Sequence, residues 1–479
     1  MSNLARLIPR HTVKEEFCSH YKGITSRHDK ISQLSGYYSV LAIFGLLFIT
    51  AVCSSAQDWI RTGTGLGVEK VRLAASDFKS STQDPKNTDL LKTFNETLWN
   101  DLDNAGIFEL VSKSFYPEQV PGQPSELTAS VWSASPNPNA SMLAFGNLGV
   151  SADKVQVQGW LYDVKSTTNS PQVLGKQYTD TATSDAVRTI AHKFADEIIF
   201  RLGGGIPGIA ESKIFFVSSR SGQKEIWEMD YDGANQHPIT HIGSISLSPR
   251  VAPDGSRLAF SSATKAGWEI LMYSFDLNRQ VSFPRFGGMN LSPSWSPDGS
   301  KLAWSSSRNG YPNIFVSDAS GGNLKRLTTG QGPDVSPTWN RKTGAQIAFV
   351  SGRTGLPQIY TMEADGTNVQ RMTDQGYAVS PNWSPNGQFL TFSWMRKYGP
   401  GEPGSNDLYL MDIASKQWVQ LTHDAGRNDF PCWSPDGRHI VFQSHRSGSD
   451  QIYSMLADGT NVKQLTFSGN NTQPNWSWK

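Results

Sequence analysis

Residues 292–329 read S-P-S-W-S-P-D-G-S-K-L-A-W-S-S-S-R-N-G-Y-P-N-I-F-V-S-D-A-S-G-G-N-L-K-R-L-T-T. This sentence is spelled out six times along the C-terminal half of the chain, with aligned prolines at Pro249, Pro293, Pro337, Pro381, Pro431 and Pro474 that lie 44, 44, 44, 50 and 43 residues apart. A period of about 40–45 residues carrying four short apolar bursts is the signature of a β-propeller blade.

Each burst reads as a strand, because β-branched and aromatic residues cluster in short runs bounded by turn residues. Leu302-Ala303-Trp304 and its repeats form the second strand, and Ile314-Phe315 and its repeats form the third. Pro-Asp-Gly at Pro253, Pro297 and Pro435 supplies a fixed φ and then an unhindered positive φ, as a hairpin requires. The first copy, Ile206 to His241, lacks a leading S-P-x-W strand, whereas Thr472 to Ser477 is such a strand with no blade behind it. The two fragments are expected to complete one blade. The fold class is therefore a six-bladed β-propeller over 206–479, closed by its own C-terminal strand, which also protects both sheet edges.

The rest of the 479 residues holds more than one unit. A net charge of +1 gives no reason to expect a nucleic-acid surface. Residues 1–56 carry six Lys or Arg against three acidic residues, and behind these lies the apolar run Val40 to Val52, ending in Cys53-Ser54-Ser55-Ala56. A basic leader, a short apolar core and small residues at its exit read as a signal peptide, with cleavage after Ala56. A lipoprotein reading through Cys53 is disfavoured by Val52, where a small residue is expected. Loss of the leader removes Cys18 and Cys53, leaving Cys432 without a disulfide partner and no Cys-based metal site.

From Glu69 to Leu202 the periodicity changes, marking a small α/β domain over 69–202. Helices are predicted at Thr88–Asn104, with Leu91, Phe94, Leu98 and Leu102 on one stripe, and from Ser184 to Leu202, ending at Gly203-Gly204-Gly205. Strands are predicted at Lys70–Ala75, Phe108–Val111 and Val155–Val164, and local rules leave Tyr116–Asn147 open. Residues 57–68 are glycine-rich and expected to be mobile.

Signposts of catalysis are missing: there is no G-x-S-x-G, H-E-x-x-H or P-loop. G-x-G-x-x-G spacing occurs at Gly203 and Gly399, but neither copy follows a strand and opens a helix, so linker and loop are the better readings. The Asp-Gly pairs at Asp232, Asp365 and Asp458 lack the alternating oxygen ligands of a calcium loop and read as hairpin turns. His241 and His423 follow a fourth strand and fall in loops between blades. No catalytic, metal or cofactor site is assigned.

A cation follows every second strand: Arg220, Lys265, Arg308, Arg353, Arg396 and Arg446. Because strands alternate direction, these loops share one face of the disc with the loops between blades. A polar ring there could receive a carboxylate-rich partner, whereas a residue repeated in every blade could equally serve the blade itself. Symmetry is broken on that face at Arg285-Phe286-Gly287-Gly288-Met289, in the insertion Arg396–Asn406 and at Gly330–Asp334. A partner is expected to dock there.

The order of signal peptide, small α/β domain, triple glycine and S-P-x-W-S-P-D-G blades, with Ser282-Phe283-Pro284-Arg285 ahead of one blade, resembles the TolB family of the Tol-Pal envelope system. That resemblance implies a non-enzymatic, monomeric periplasmic scaffold, acting in envelope integrity and cell division. Its propeller would bind a Pal-like lipoprotein, and its N-terminal segment, here Asp58, Trp59, Ile60 and Arg61, would contact a TolA-like inner-membrane protein. Two departures stand out: Phe286 where members often carry a polar residue, and Trp339-Asn340-Arg341-Lys342 where W-S-P-D would stand. A propeller binding a small ligand in its channel, and an accessory module of a peptidase, are the alternatives.

Overall fold

The computed structural model describes residues 63–67, 69–168, 171–330, 332–396, 406–423 and 425–478. The leader expected over 1–56, together with Asp58, Trp59, Ile60 and Arg61, lies outside the described residues. Among the described residues no helix is long and apolar enough to cross a membrane.

The repeat folds into six four-stranded sheets. The blade that opens the sequence argument is Asn290–Trp295, Lys301–Ser306, Asn313–Asp318 and Lys325–Arg326. Its L-T pair has a structural reason. The backbone N–H groups of Ile226, Ile314, Ile359, Leu408 and Ile452 donate to the hydroxyls of Thr240, Thr328, Thr373, Thr422 and Thr466 at 2.8 to 3.0 Å, satisfying a buried donor beside the short fourth strand. The Asp-Gly pairs sit in hairpins, as expected. Asp365 Oδ1 accepts from the Thr367 N–H at 2.9 Å, and Gly366 has φ 94° with its missing Cβ only 2.7 Å from the Leu327 carbonyl of the preceding blade. No side chain fits that approach.

The tryptophans of S-P-x-W wedge five of the six blades against the one before. Trp339 packs with Ala303, Ile314 and Val316, Trp383 with Ala348, Val350 and Ile359, and Trp433 with Phe389, Leu408 and Leu410. Trp295, Trp339, Trp383, Trp433 and Trp476 are all at most 4 % exposed. Burying one such ring removes roughly 200 Å² from water, about 4–5 kcal/mol by area. Closure follows the expected route: Asn471–Trp476 pairs antiparallel with Lys213–Ser221, Trp476 facing Ile214. Trp476 Nε1 donates to Ser212 Oγ at 2.7 Å, and its ring packs on Cys432, Val441 and Ile452 of the last blade.

The preceding domain has strands β1 (Val71–Ala75), β2 (Lys79–Ser80), β3 (Phe108–Leu110), β4 (Met142–Ser151), β5 (Lys154–Asp163) and β6 (Gln172–Thr181). The sheet order is β3-β1-β4-β5-β6, with β2 beside β4. Helices α1 (Asn87–Asn104) and α3 (Ser184–Leu202), separated in sequence by the short α2 (Ala129–Ser133), cover one face through Leu90, Phe94, Leu98, Val187, Phe194 and Ile198. The side chain of Thr183 accepts from the Ala186 N–H at 3.3 Å to start α3, and Gly106 at φ 75° lets the chain turn just after α1. The stretch left open by sequence forms α2 and the start of β4, and its Trp132 fills the other face with Tyr116 and Phe145. β6 was not anticipated. It is an edge strand in which Leu174 is the buried residue, so it carries no apolar alternation to read.

This domain rests on the hairpin face of the propeller. Arg438 Nη2 donates to the Gly203 carbonyl at 3.0 Å, His439 Nε2 to the Asn104 carbonyl at 2.7 Å, and Tyr231 Oη to Asp101 Oδ1 at 2.5 Å. Arg188 Nη2 reaches Asp232 at 2.9 Å. Where the glycine-rich reading expects a mobile arm, residues 63–67 are packed: Asn386 Nδ2 donates to the Gly63 carbonyl at 2.9 Å, and Leu66 joins the cluster of Phe389, Phe442 and Leu456.

Trp476→Ala removes the closing wedge and is expected to cost roughly 3–5 kcal/mol in urea unfolding. A cost below about 1 kcal/mol would show that the ring does not depend on it.

Candidate partner-binding face

The α/β domain contacts hairpins of the first and last blades, at Asp232, Tyr231, Arg438 and His439, and the opposite face is left uncovered by the described residues of that domain. It carries the loops between second and third strands and the loops between blades, where the candidate residues fall.

The repeated cations divide into two kinds. Arg353 Nε donates to Ser351 Oγ at 2.8 Å, its guanidinium lies 5.5 Å from the Phe349 ring and 5.0 Å from the Tyr360 ring, and Nη2 reaches both oxygens of buried Asp334 at 3.1 Å. Arg446 repeats this with Ser444 at 2.9 Å, Phe442 at 5.4 Å, Tyr453 at 4.8 Å and Asn428 at 3.1 Å. Arg220 does the same with Ser218 at 3.0 Å, Phe216 at 5.6 Å and Trp227 at 4.1 Å. These three clamp the second strand to the third through charge–aromatic contacts, and each blade uses its own cation. Arg308 and Arg396 are exposed, as is Lys265, and Arg308 keeps a looser contact with Phe315 at 5.9 Å.

The irregular loop at 285–289 offers a different chemistry. Arg285 is 72 % exposed at its side chain and reaches Glu269 through one contact of 3.3 Å, while Phe286 turns inward against Trp304 at 4.8 Å between ring centres. Phe286 therefore supports the loop, and Met289, 48 % exposed, is the apolar group it presents. His241 and His423 are exposed on the same face.

Sequence reasoning missed the apolar residues around them. Phe467 is 76 % exposed, Tyr311 63 %, and Leu356 and Ile245 are exposed on this face as well. Phe467 follows Leu465-Thr466 as His423 follows Leu421-Thr422 and His241 follows Ile239-Thr240. Aligning that third position across the blades would have found it. Tyr311 and Leu356 likewise share a register, each preceding a proline after the repeated cation.

Cavities lie elsewhere among the described residues. The central channel holds about 30 Å³, bounded by Ser292, Ser336, Ser380, Phe430 and Arg250 among others. Small-molecule sites run to roughly 300 Å³ and above, so the channel ligand alternative meets a space an order of magnitude too small. A cavity of about 990 Å³ opens between α3 and the propeller, lined by Asp196, Phe200, Glu211 and Trp478. Burial pushes the Asp196 carboxyl up to about 7, although the N–H groups of Ala210 and Glu211 donate to it. Among the described residues no three His, Cys, Asp or Glu side chains gather as metal ligands would.

Comparison with known proteins bears on this arrangement. The chain matches the TolB beta propeller domain over 201–399 and 375–479, and the TolB amino-terminal domain over 64–170. It is similar to a Protein TolB homolog of Chlorobium chlorochromatii, 32 % identical over 197 residues, covering 41 % of this chain and 43 % of that protein. It is also similar to a Tol-Pal system protein TolB of Roseobacter denitrificans, 29 % identical over 235 residues, covering 48 % and 51 %. Each match thus spans about half the length of the curated relative. The crystal structure of TolB from Acinetobacter baumannii superposes with a TM-score of 0.70 at 24 % identity, covering 86 % of this chain and 97 % of that one, which shows the shared fold.

Arg353→Leu leaves the Asp334 carboxylate buried without its cation and is expected to lower stability by roughly 3 kcal/mol, whereas Met289→Ala on the exposed loop changes it by less than about 0.5 kcal/mol. Urea titration of both variants checks the contrast. The folded chain holds the Asp196 proton up to about 7, whereas an unfolded aspartate releases it near ~3.9, so this group's contribution to stability is lost as pH rises through that window. Asp196→Asn should flatten the fall in melting temperature between about pH 4 and pH 7, and an unchanged slope would contradict the assignment.

Proposed function

The chain belongs to the TolB family, and on that footing we propose that it is a non-enzymatic component of a Tol-Pal-type system of the periplasm, a scaffold in envelope integrity and cell division. In this reading the propeller face opposite the α/β domain docks a Pal-like lipoprotein. The segment around Asp58, Trp59, Ile60 and Arg61 contacts a TolA-like inner-membrane protein.

The observation that carries the docking face is its chemistry once the α/β domain is seated elsewhere. Met289, Tyr311 and Phe467 stand exposed among Arg285, Arg308, His241 and His423. Apolar anchors inside a polar, cationic rim are the makeup of a protein interface: the anchors supply most of the free energy on desolvation, and the rim steers an acidic partner and sets orientation. Arg353 and Arg446, engaged within their blades, hold the loops in place for that contact. A monomeric scaffold of this kind needs only two surfaces, one per partner, and the arm and the free face supply them on separate parts of the chain.

Phe467→Glu is expected to weaken capture of a Pal-like lipoprotein at least about tenfold, as loss of an interface anchor does. Arg285→Glu should weaken it less and remove part of its salt dependence. Pull-downs with purified lipoprotein at two ionic strengths read both effects. Binding unaltered by either substitution would place the partner elsewhere.

A further inference from the structure

One position of the repeat, just ahead of the third-strand isoleucine or leucine, is an acid or an amide in every blade: Glu225, Glu269, Asn313, Gln358, Asp407 and Gln451. In the first, fifth and sixth blades the blade's own groups close it off. Glu225 accepts from Thr240 Oγ1 at 2.5 Å and from the Gly243 N–H at 2.7 Å. Asp407 accepts from Thr422 Oγ1 at 2.9 Å, and Gln451 Oε1 accepts from Thr466 Oγ1 and Asn471 Nδ2, each at 2.7 Å. The threonine hydroxyl serves twice, taking a backbone N–H and giving its own proton to the acid or amide.

The second blade has no such threonine. Glu269 lies there on the strand Gly267–Ser274, and the fourth strand, Arg279–Val281, leads into exposed Ser282 and the irregular loop at 283–289. Glu269 is 7 % exposed, and its buried Oε2 receives no hydrogen bond from any described residue. Arg285 Nε stands 3.3 Å from that oxygen without aligning to donate to it, on a side chain turned mostly to water. A buried carboxylate held by one such contact is costly, and the cost falls at the loop where the docking face departs from the repeat.

That loop is anchored without Arg285. Phe286 packs on Trp304 at 4.8 Å between ring centres, and Asn290 Nδ2 donates to the Gly287 carbonyl at 3.1 Å. Arg285 can therefore leave Glu269 by rotating its own side chain while the backbone stays in place. Its departure uncovers a carboxylate at the base of the loop that also presents Met289.

We propose that Glu269 is a specificity-determining residue of the docking face: it receives a lysine or arginine side chain of the docked lipoprotein, and the Arg285 it releases pairs with an acidic residue of the same partner. This rests on the docking reading above. One internal ion pair is exchanged for two across the interface, and a charge-assisted hydrogen bond reaches the oxygen that lacks one. A partner without the cation would cover Glu269 and leave it unpaired, so the residue selects by exclusion as well as by attraction.

The test is capture of purified Pal-like lipoprotein by the full chain carrying Glu269→Gln, Glu269→Asp or Phe467→Glu. Glu269→Gln keeps the shape of the side chain and is expected to weaken capture at least about tenfold and to lessen its salt dependence, as loss of a desolvated charge partner does. Glu269→Asp keeps the charge and should fall between the parent and the Gln variant. In the free chain Glu269→Gln should melt no lower than the parent, because an unsatisfied buried charge is removed; a lower melting temperature would assign Glu269 to the blade itself and overturn the exchange. Capture by Glu269→Gln as tight as by the parent would overturn it too. If Phe467→Glu still weakens capture in that case, the face stands and the exchange alone falls; if it does not, the face falls as well.

Discussion

The structure depends on one contact repeated around a circle: a large apolar side chain, tryptophan in five of the six blades, at the end of the innermost strand and driven into the sheet of the preceding blade. A four-stranded blade is too small to bury its own faces, so its stability comes from its neighbours. In a closed ring every blade has two. Trp476 makes the last of these contacts from the far end of the chain, which couples closure of the ring to the pairing of Asn471–Trp476 with Lys213–Ser221. In the second blade Val251 takes the place of the tryptophan, packing with Phe215, Val217 and Phe260. The wedge tolerates a smaller side chain where the facing residues are large.

Ring closure also decides where function can sit. Hairpins and inter-blade loops are forced to opposite faces by strand alternation, and the α/β domain takes the hairpin face with buried, well-partnered groups such as Arg438, His439 and Tyr231. Burial keeps the Tyr231 phenol protonated, so that it can donate to Asp101. A seat of this kind is not lightly exchanged for a transient partner. Among the described residues the other face has no comparable cover, and it presents Met289, Tyr311 and Phe467 as exposed apolar tips.

Much of this was legible in the sequence, for a physical reason. Period, turn chemistry and the unmatched first and last strands are local signals, and they specified six blades, the closing strand and the two faces. What was not legible depended on tertiary contact. β6 is an edge strand whose polar residues face water, so no alternation marks it. The Tyr116–Asn147 stretch is ordered by burying Trp132 rather than by propensity. At the candidate site, the repeated cation could be seen in six places, but only coordinates separate Arg353 and Arg446, held over aromatic rings, from exposed Arg308. Phe467 occupies the position of His241 and His423 in its own blade, but a single apolar residue there carries no local sign of exposure. Arg341 was visible as a departure from the repeat, yet its contacts with the Trp433 carbonyl and the Trp478 ring were not.

The central claim is that the uncovered propeller face receives the lipoprotein. Hydrogen–deuterium exchange of the chain with and without a Pal-like lipoprotein tests it most directly. Slowed exchange is predicted in the loops around Met289, Tyr311, Leu356 and Phe467, with no change at the hairpins around Asp254 and Asp298 on the opposite face. Protection confined to the hairpins or to the α/β domain would contradict the account.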